Sequence, residues 1–225
     1  MNHDLAKVLF KSHYDQPWRV FHSWRHIDHG LEALHEFIYA KELNESDTEI
    51  RKIVRQHRDL LYIAWYMHDL VYVPKHEGNE QASADLVPYY APMLIPNIDL
   101  KGIQTISRLI MCTKDHKVVD RLFPGTPVSK ELEALSKVMI DIDLIGFAKY
   151  HPMTSLWVRE EFESVLVQIK DEDGLDDFDR KWRMGQSDFL TGLLLRDSLY
   201  QTGYFKSNYQ QEALANIRAE VDSYK

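Results

Sequence analysis

Three short stretches of this 225-residue chain concentrate side chains that bind cations or move protons. In FHSWRHIDHG, residues 21–30, His22 and His26 are four apart, so both project from one side of any helix formed there. In AWYMHDLVY, residues 64–72, His68 and Asp69 interrupt an otherwise apolar run. Burying an ionised aspartate without a partner costs on the order of several kcal/mol, so Asp69 must be paired, hydrogen-bonded or metal-bound. In MIDIDLIGF, residues 139–147, Asp141 and Asp143 sit in a third apolar segment. Both lie about equally far from the centre of its apolar face, so periodicity does not choose between them. Each motif alone has an ordinary structural explanation as a satisfied core contact, an N-cap or a salt bridge. Converging helices would bring the histidines and carboxylates to one point, as helix-bundle metal sites do. Two imidazoles and two carboxylates suit a divalent ion such as Mn, Mg, Fe, Co, Ni or Zn, and water on such an ion ionises near neutral pH.

These residues need rigid elements to hold them, and the pattern predicts helices throughout. Glycine and proline number nine and eight, and no alternating Val/Ile/Thr run marks a sheet. The spacing predicts helices over about 3–13, 23–43, 46–71, 79–91, 99–113, 129–149, 154–170, 176–202 and 207–223. In the 46–71 segment, Ser46 with Glu49 reads as a capping box. Ile50, Ile53, Val54, Leu60, Leu61, Ala64 and Trp65 form its apolar face, which His57 and His68 share. Ser129 reads as the cap of a helix whose Leu132, Leu135, Met139, Ile142 and Gly146 share a side. The acidic DEDGLDD at 171–177 reads as a loop rather than a boundary. The expectation is an all-α fold: one compact helical bundle over 1–225, with the metal-binding core at about 20–150 and helices of 154–225 packed on it.

Composition narrows the function classes. The formal charge is −8 and no Lys/Arg cluster stands out, which argues against a broad nucleic-acid footprint. No stretch has the roughly 20 apolar residues of a membrane span, and the N-terminal stretch lacks an apolar signal core. A lone cysteine, Cys112, cannot form an internal disulfide and fits a reducing, cytoplasmic setting, where it reads as a buried thiol.

YDQPWRVFHSWRHI (14–27), AWYMHDLVYVPKHEGNEQASADL (64–86), the Thr113/His116 pair, DIDLIGFA (141–148), VREEF (158–162) and LLLRDSLYQTGYF (193–205) together resemble the HD-domain superfamily of metal-dependent phosphohydrolases. The resemblance implies an HD-type bundle with His26, His68, Asp69 and Asp143 as metal ligands, Asp143 being chosen through the family's Asp-x-Asp-Leu pattern. It also implies hydrolysis of a phosphate ester or anhydride in a small, nucleotide-like substrate by metal-activated water. His22 matches a histidine that protonates the leaving oxygen in related phosphodiesterases; a structural hydrogen bond is the alternative. Glu80 is a candidate for positioning water, or else a first-turn acid favoured by the helix dipole. Asn79 reads as that helix's cap or a substrate contact. Thr113 and His116 are candidates to face the metal or the phosphate. Arg19 is a candidate phosphate clamp, with a core carboxylate as the alternative partner. Arg159, Glu160, Glu161 and Arg196 read as a structural ion-pair network, and the Trp, Tyr and Leu stripe of 182–200 as core. Specificity is expected in loops 72–79 and 114–128. Two competing readings are a nucleotide-sensing HD module without catalysis and a di-iron oxygenase on the same scaffold, with His57 or His116 at a second metal.

Overall fold

A computed structural model describes residues 1–74, 76–168 and 177–224, and every regular element among them is a helix. In chain order these are α1 (His3–Tyr14), α2 (Trp24–Tyr39), α3 (Glu45–Gln56), α4 (Arg58–Met67), α5 (Asn79–Asp85), α6 (Val87–Leu94) and α7 (Leu100–Asp115). After them come α8 (Lys130–Asp143), α9 (Gly146–Lys149), α10 (Met153–Gln168), α11 (Phe178–Leu194) and α12 (Gly203–Ser223). The all-α expectation holds. No described helix is long and apolar enough to cross a membrane.

Several expected helices are shorter or broken, for local reasons. The 46–71 segment divides at His57, which leaves helical geometry at φ −111° and ψ 19°. Its N-cap is Asn44, whose side-chain oxygen accepts from the Asp47 amide at 2.8 Å, and not Ser46, which lies inside α3. His57 therefore sits at the opposite end of α4 from His68, about 16 Å along the axis at 1.5 Å per residue. The 79–91 segment divides at Leu86, just ahead of Pro88, which has no amide to continue the ladder. The 129–149 segment divides at Leu144 and Ile145, so Gly146 starts α9 instead of continuing the α8 face; Ser129 caps α8 as expected. The 176–202 helix stops at Leu194, and α12 begins at Gly203 behind the Thr202 cap. Residues 169–176, with most of the acidic loop, lie outside the described residues.

Helix α4 runs through the middle of the core: Leu61, Ile63, Ala64, Trp65 and Met67 are fully buried. They pack with Ile27, Leu34 and Phe37 of α2, Ile106 and Leu109 of α7, and Leu135, Val138 and Met139 of α8 in one apolar cluster. The crossing of α2 over α4 depends on a glycine. A Cβ built on Gly30 would lie 2.0 Å from Cζ2 of Trp65, so no larger residue fits without displacing the indole. The indole Nε1 donates to the Ile27 carbonyl at 2.9 Å, locking the two helices together. Helix α10 adds no side chain to the main apolar cluster among the described residues. It is tied on by polar contacts instead, including Thr154 Oγ1 to the Gly146 carbonyl at 3.0 Å and Ser155 Oγ to Glu220 at 2.7 Å.

Candidate metal centre

The α2/α4 crossing puts His26, in the first turn of α2, against His68 and Asp69 at the end of α4, and the last residue of α8, Asp143, closes the group. The two histidine Nε2 atoms are 3.2 Å apart. Asp69 Oδ2 lies 3.0 Å from His68 Nε2 and 3.7 Å from His26 Nε2. Asp143 Oδ1 lies 3.2 Å from His26 Nε2 and 3.6 Å from His68 Nε2. Ligand bonds of about 2.1 Å in a tetrahedral or octahedral shell leave neighbouring donors roughly 3.0–3.4 Å apart, which these separations bracket. His68 Nδ1 is 2.8 Å from the Trp65 carbonyl, a pure acceptor, so Nδ1 carries the proton and Nε2 is the atom turned to the centre. The donor set fits a divalent cation. Among the described residues, His26, His68 and Asp69 are the group of three or more such side chains with metal-holding spacing.

The electrostatics agree. Burial works against a charged imidazole at His68, yet the carboxylates of Asp69 and Asp143 outweigh it and raise the His68 pKa to about 10. Burial likewise opposes charge on Asp69, but His68 and His22 hold its pKa below the ordinary value; histidine hydrogen bonds do the same for Asp143. A pocket that attracts a proton this strongly attracts a metal cation for the same reason.

Geometry separates the two aspartates that the sequence left tied. Asp141, fully buried, turns away from the centre and accepts from the Gln201 amide at 2.5 Å, the Thr202 amide at 2.9 Å and Thr202 Oγ1 at 2.8 Å. Burial pushes its pKa up to about 7 against those three donors. Asp143 divides its oxygens, Oδ1 toward His26 and His68 and Oδ2 toward His116 Nε2 at 3.1 Å. His116 reaches it because α7 ends there in the left-handed region, at φ 49°. That conformation costs a non-glycine residue on the order of 1 kcal/mol. Arg196 holds this end of α7 by donating to the Asp115 carbonyl at 3.1 Å and the His116 carbonyl at 3.4 Å, in place of the expected ion pair.

Glu161, read from sequence as part of an ion-pair network, instead meets the candidate site through His22. It is fully buried on α10, and Oε2 accepts the amides of Val20, Phe21 and His22 at 2.9, 3.0 and 3.0 Å. Oε1 lies 2.6 Å from His22 Nδ1. Like Asp69, Glu161 is a carboxylate among apolar neighbours and requires a partner, which is the signal its sequence carries. The expected ion pairing survives at Arg159, which pairs with Asp179 and with Glu163. Burial disfavours charge on His22, but Glu161 and Asp69 outweigh it and raise its pKa. The ring stacks on Tyr72 at 3.8 Å.

A cavity of about 220 Å³ opens on this centre, with His22, His68, Asp69 and Asp143 in its wall. Glu80, Thr113, Lys114 and His116 line it too. Thr113 Oγ1 bonds within its own helix to the Ile110 carbonyl at 2.8 Å. Arg19 and Asn79 are not in the wall. The Arg19 guanidinium donates to the Asp69 carbonyl at 2.6 Å, the Leu70 carbonyl at 3.0 Å, the His22 carbonyl at 3.3 Å and Gln16 Oε1 at 2.9 Å. It therefore braces the turn that carries Asp69 and does not clamp a phosphate. Asn79 neither caps α5, whose N-cap is Gly78, nor meets the cavity: both ends of its amide pair with the Val73 backbone, at 3.0 and 2.9 Å. Cys112 is buried, with its pKa raised by burial, and donates to the Leu109 carbonyl. The walls also draw on α10 and α11, through Val158, Gln186 and Phe189, beyond the two loops expected to set specificity.

No protein-family model, curated protein or solved structure matches this chain.

Proposed function

We propose that the protein is a metal-dependent phosphohydrolase of the HD type that cleaves a phosphate ester or anhydride in a small, nucleotide-like molecule. The observation that carries this is the meeting of His26, His68, Asp69 and Asp143 donors at one point, three of them, His68, Asp69 and Asp143, lining a cavity that His22 also lines. A divalent cation held by those four side chains would supply a Lewis acid and lower the pKa of a coordinated water. The remaining work falls to the chain's own groups. His22 has Nδ1 committed to Glu161, so Nε2 is left to act in the cavity, and its raised pKa keeps it charged to higher pH. Such an imidazolium can protonate the oxygen of a departing alcohol. Glu80, in the wall, can accept a hydrogen bond from the attacking water. Tyr72, stacked on His22, holds the ring in place and restricts solvent on that side.

The test is a screen of the protein loaded separately with Mn²⁺, Mg²⁺, Fe²⁺, Co²⁺, Ni²⁺ and Zn²⁺ against phosphate monoesters, cyclic nucleotides and nucleoside di- and triphosphates. Phosphate or nucleotide release is expected, and Asp69→Ala should abolish it together with metal retention while the far-UV spectrum stays helical. A metal-loaded wild type that releases nothing from the whole panel overturns the proposal. Tight nucleotide binding without turnover would identify a sensor instead.

A further inference from the structure

The cavity at the metal centre, about 220 Å³, is smaller than the roughly 300–1,000 Å³ typical of ligand pockets. It does not end at His22. A second cavity of about 440 Å³ shares His22, Tyr72, Val158, Gln186 and Phe189 with it. From that shared boundary it runs between α10 and α11 over Phe162, Phe178 and Trp182. Much of the lining is aromatic, with Phe162 and Trp182 edge to face at 5.6 Å and Phe178 tilted against Trp182 at 6.4 Å, and Lys181 lines it as well. Phe189 remains 45% exposed and Trp182 is half-buried, so these two rings face a groove. Within the 182–200 stripe Leu190, Leu193, Leu199 and Tyr200 are core as expected, and Trp182 departs from that reading.

We infer that this groove seats the leaving group of the substrate, and that the leaving group carries a planar aromatic system. The inference rests on the proposed hydrolysis. In that reaction water oxygen bonds to phosphorus and gives up a proton to solvent, and the bond from phosphorus to the leaving oxygen breaks. That oxygen takes the His22 proton and departs as an alcohol, after which His22 regains a proton from solvent. His22 lines both cavities, so the group whose oxygen it protonates extends from the metal-side cavity into the groove. A wall of phenyl and indole rings favours a flat apolar occupant by stacking and by area removed from water. Two sources share that chemistry: an aryl alcohol, and a nucleoside whose base lies beyond the sugar.

The experiment compares metal-loaded wild type, Trp182→Ala, Trp182→Phe and Phe162→Ala on 1-naphthyl phosphate, a nucleoside 5′-monophosphate and glycerol 2-phosphate. Binding of 1-naphthylmethyl phosphonate, which cannot be hydrolysed, is titrated in parallel. Trp182→Ala and Phe162→Ala should lower kcat/KM roughly 10-fold or more for an aromatic substrate and leave glycerol 2-phosphate within about 2-fold, with Trp182→Phe largely restored. A loss confined to the naphthyl ester identifies an aryl alcohol, and a loss confined to the nucleotide identifies a base. Equal effects on aromatic and aliphatic esters, or none, in variants with unchanged melting temperature overturn the inference and leave hydrolysis standing. Phosphonate binding that depends on Trp182, with no ester cleaved by wild type, keeps the groove as an aromatic seat and removes the hydrolysis reading. Weak phosphonate binding that no variant alters overturns the groove assignment.

Discussion

Gly30→Ala should destabilise the protein even though alanine is the better helix former, and the size of the loss follows from one contact. The added Cβ would stand 2.0 Å from Trp65 Cζ2 and 2.4 Å from Cε2. Carbon atoms settle at about 3.5 Å or more, so the indole or α2 must retreat by about 1.5 Å. Trp65 is fully buried and its Nε1 bond to the Ile27 carbonyl is 2.9 Å long, so a retreat of that size breaks the bond inside the core. Overpacking costs about 1–3 kcal/mol and an unpartnered buried N–H about 1–3 kcal/mol. Helix propensity returns about 1 kcal/mol, leaving a net loss of about 3 kcal/mol. The same displacement reaches the metal centre, because the indole stacks on the His68 ring at 4.3 Å and lies 5.1 Å from the His26 ring. Metal affinity should fall roughly 10-fold or more, as it does when the groups that orient ligands are disturbed. Urea denaturation in chelator measures the stability, and calorimetric titration with Mn²⁺ or Zn²⁺ measures the affinity. In a Trp65→Phe background most of the cost should vanish, because the clashing atoms are gone. A Gly30→Ala protein as stable as wild type, or about 1 kcal/mol more stable, would refute the close α2/α4 crossing and with it the stated reason His26 and His68 meet.

The two aspartates of α8 should separate cleanly: Asp143→Asn loses metal affinity with modest change in stability, whereas Asp141→Asn keeps the metal and loses about 2 kcal/mol, since an amide cannot accept all three donors. Calorimetric metal titration beside urea melts distinguishes them, and a reversal would exchange their roles. Glu161→Gln should leave metal content unchanged and lower kcat roughly 100-fold, because His22 loses the carboxylate that anchors Nδ1; its pH profile should also lose activity at lower pH on the basic side, and an unaltered rate and profile would remove His22 from the mechanism. His29 supplies a pH dependence of stability. Burial first, then the nearby His26, lowers its pKa to about 4 against an unfolded value of about 6.5, so between those values the unfolded chain takes up a proton that the native one refuses. Stability contributed by neutral His29 is present above pH 6.5 and lost as pH falls toward 4, and the wild-type urea midpoint should drop more steeply over that window than that of His29→Gln.

Much of this centre was legible in the sequence because its members break the rules of their surroundings. His68 and Asp69 stand in a run of residues that are otherwise buried and apolar, and a charge placed there demands a partner. His26 was singled out by its four-residue spacing from His22, although α2 starts only at Trp24, so His22 lies in the turn before it and the two do not share a helical face. Asp143 was not separable from Asp141 by periodicity: the two point to different neighbours only because α8 ends at Asp143 while Asp141 meets the backbone of residues 201 and 202, a contact with no local signature. Arg19 and Asn79 carried the right chemistry for a ligand, yet both are occupied by backbone carbonyls and amides of the turn after the His-Asp pair, and such commitments become visible only once the loop has a path. The all-helical class followed from composition and period, whereas the breaks at His57 and Leu86 came from capping and proline effects confined to single residues.

The groups that gather at the centre come from distant parts of the chain, which orders their arrival during synthesis. His26 and His68 are separated by 42 positions, His26 and Asp143 by 117, and His22 and Glu161 by 139. A chain leaves the ribosome N-terminus first at roughly 5–20 residues per second, so both imidazoles and Asp69 emerge seconds before Asp143 and Glu161. If the centre holds a cation as proposed, capture can begin on a partial ligand set, and early binding would favour the native pairing of α2 with α4. The anchor for His22 arrives only with α10, which joins through polar ties and not through the main core. Under the proposed function, a nascent chain would meet its cation before the carboxylate that anchors His22 arrives, and activity would wait until the C-terminal third has docked.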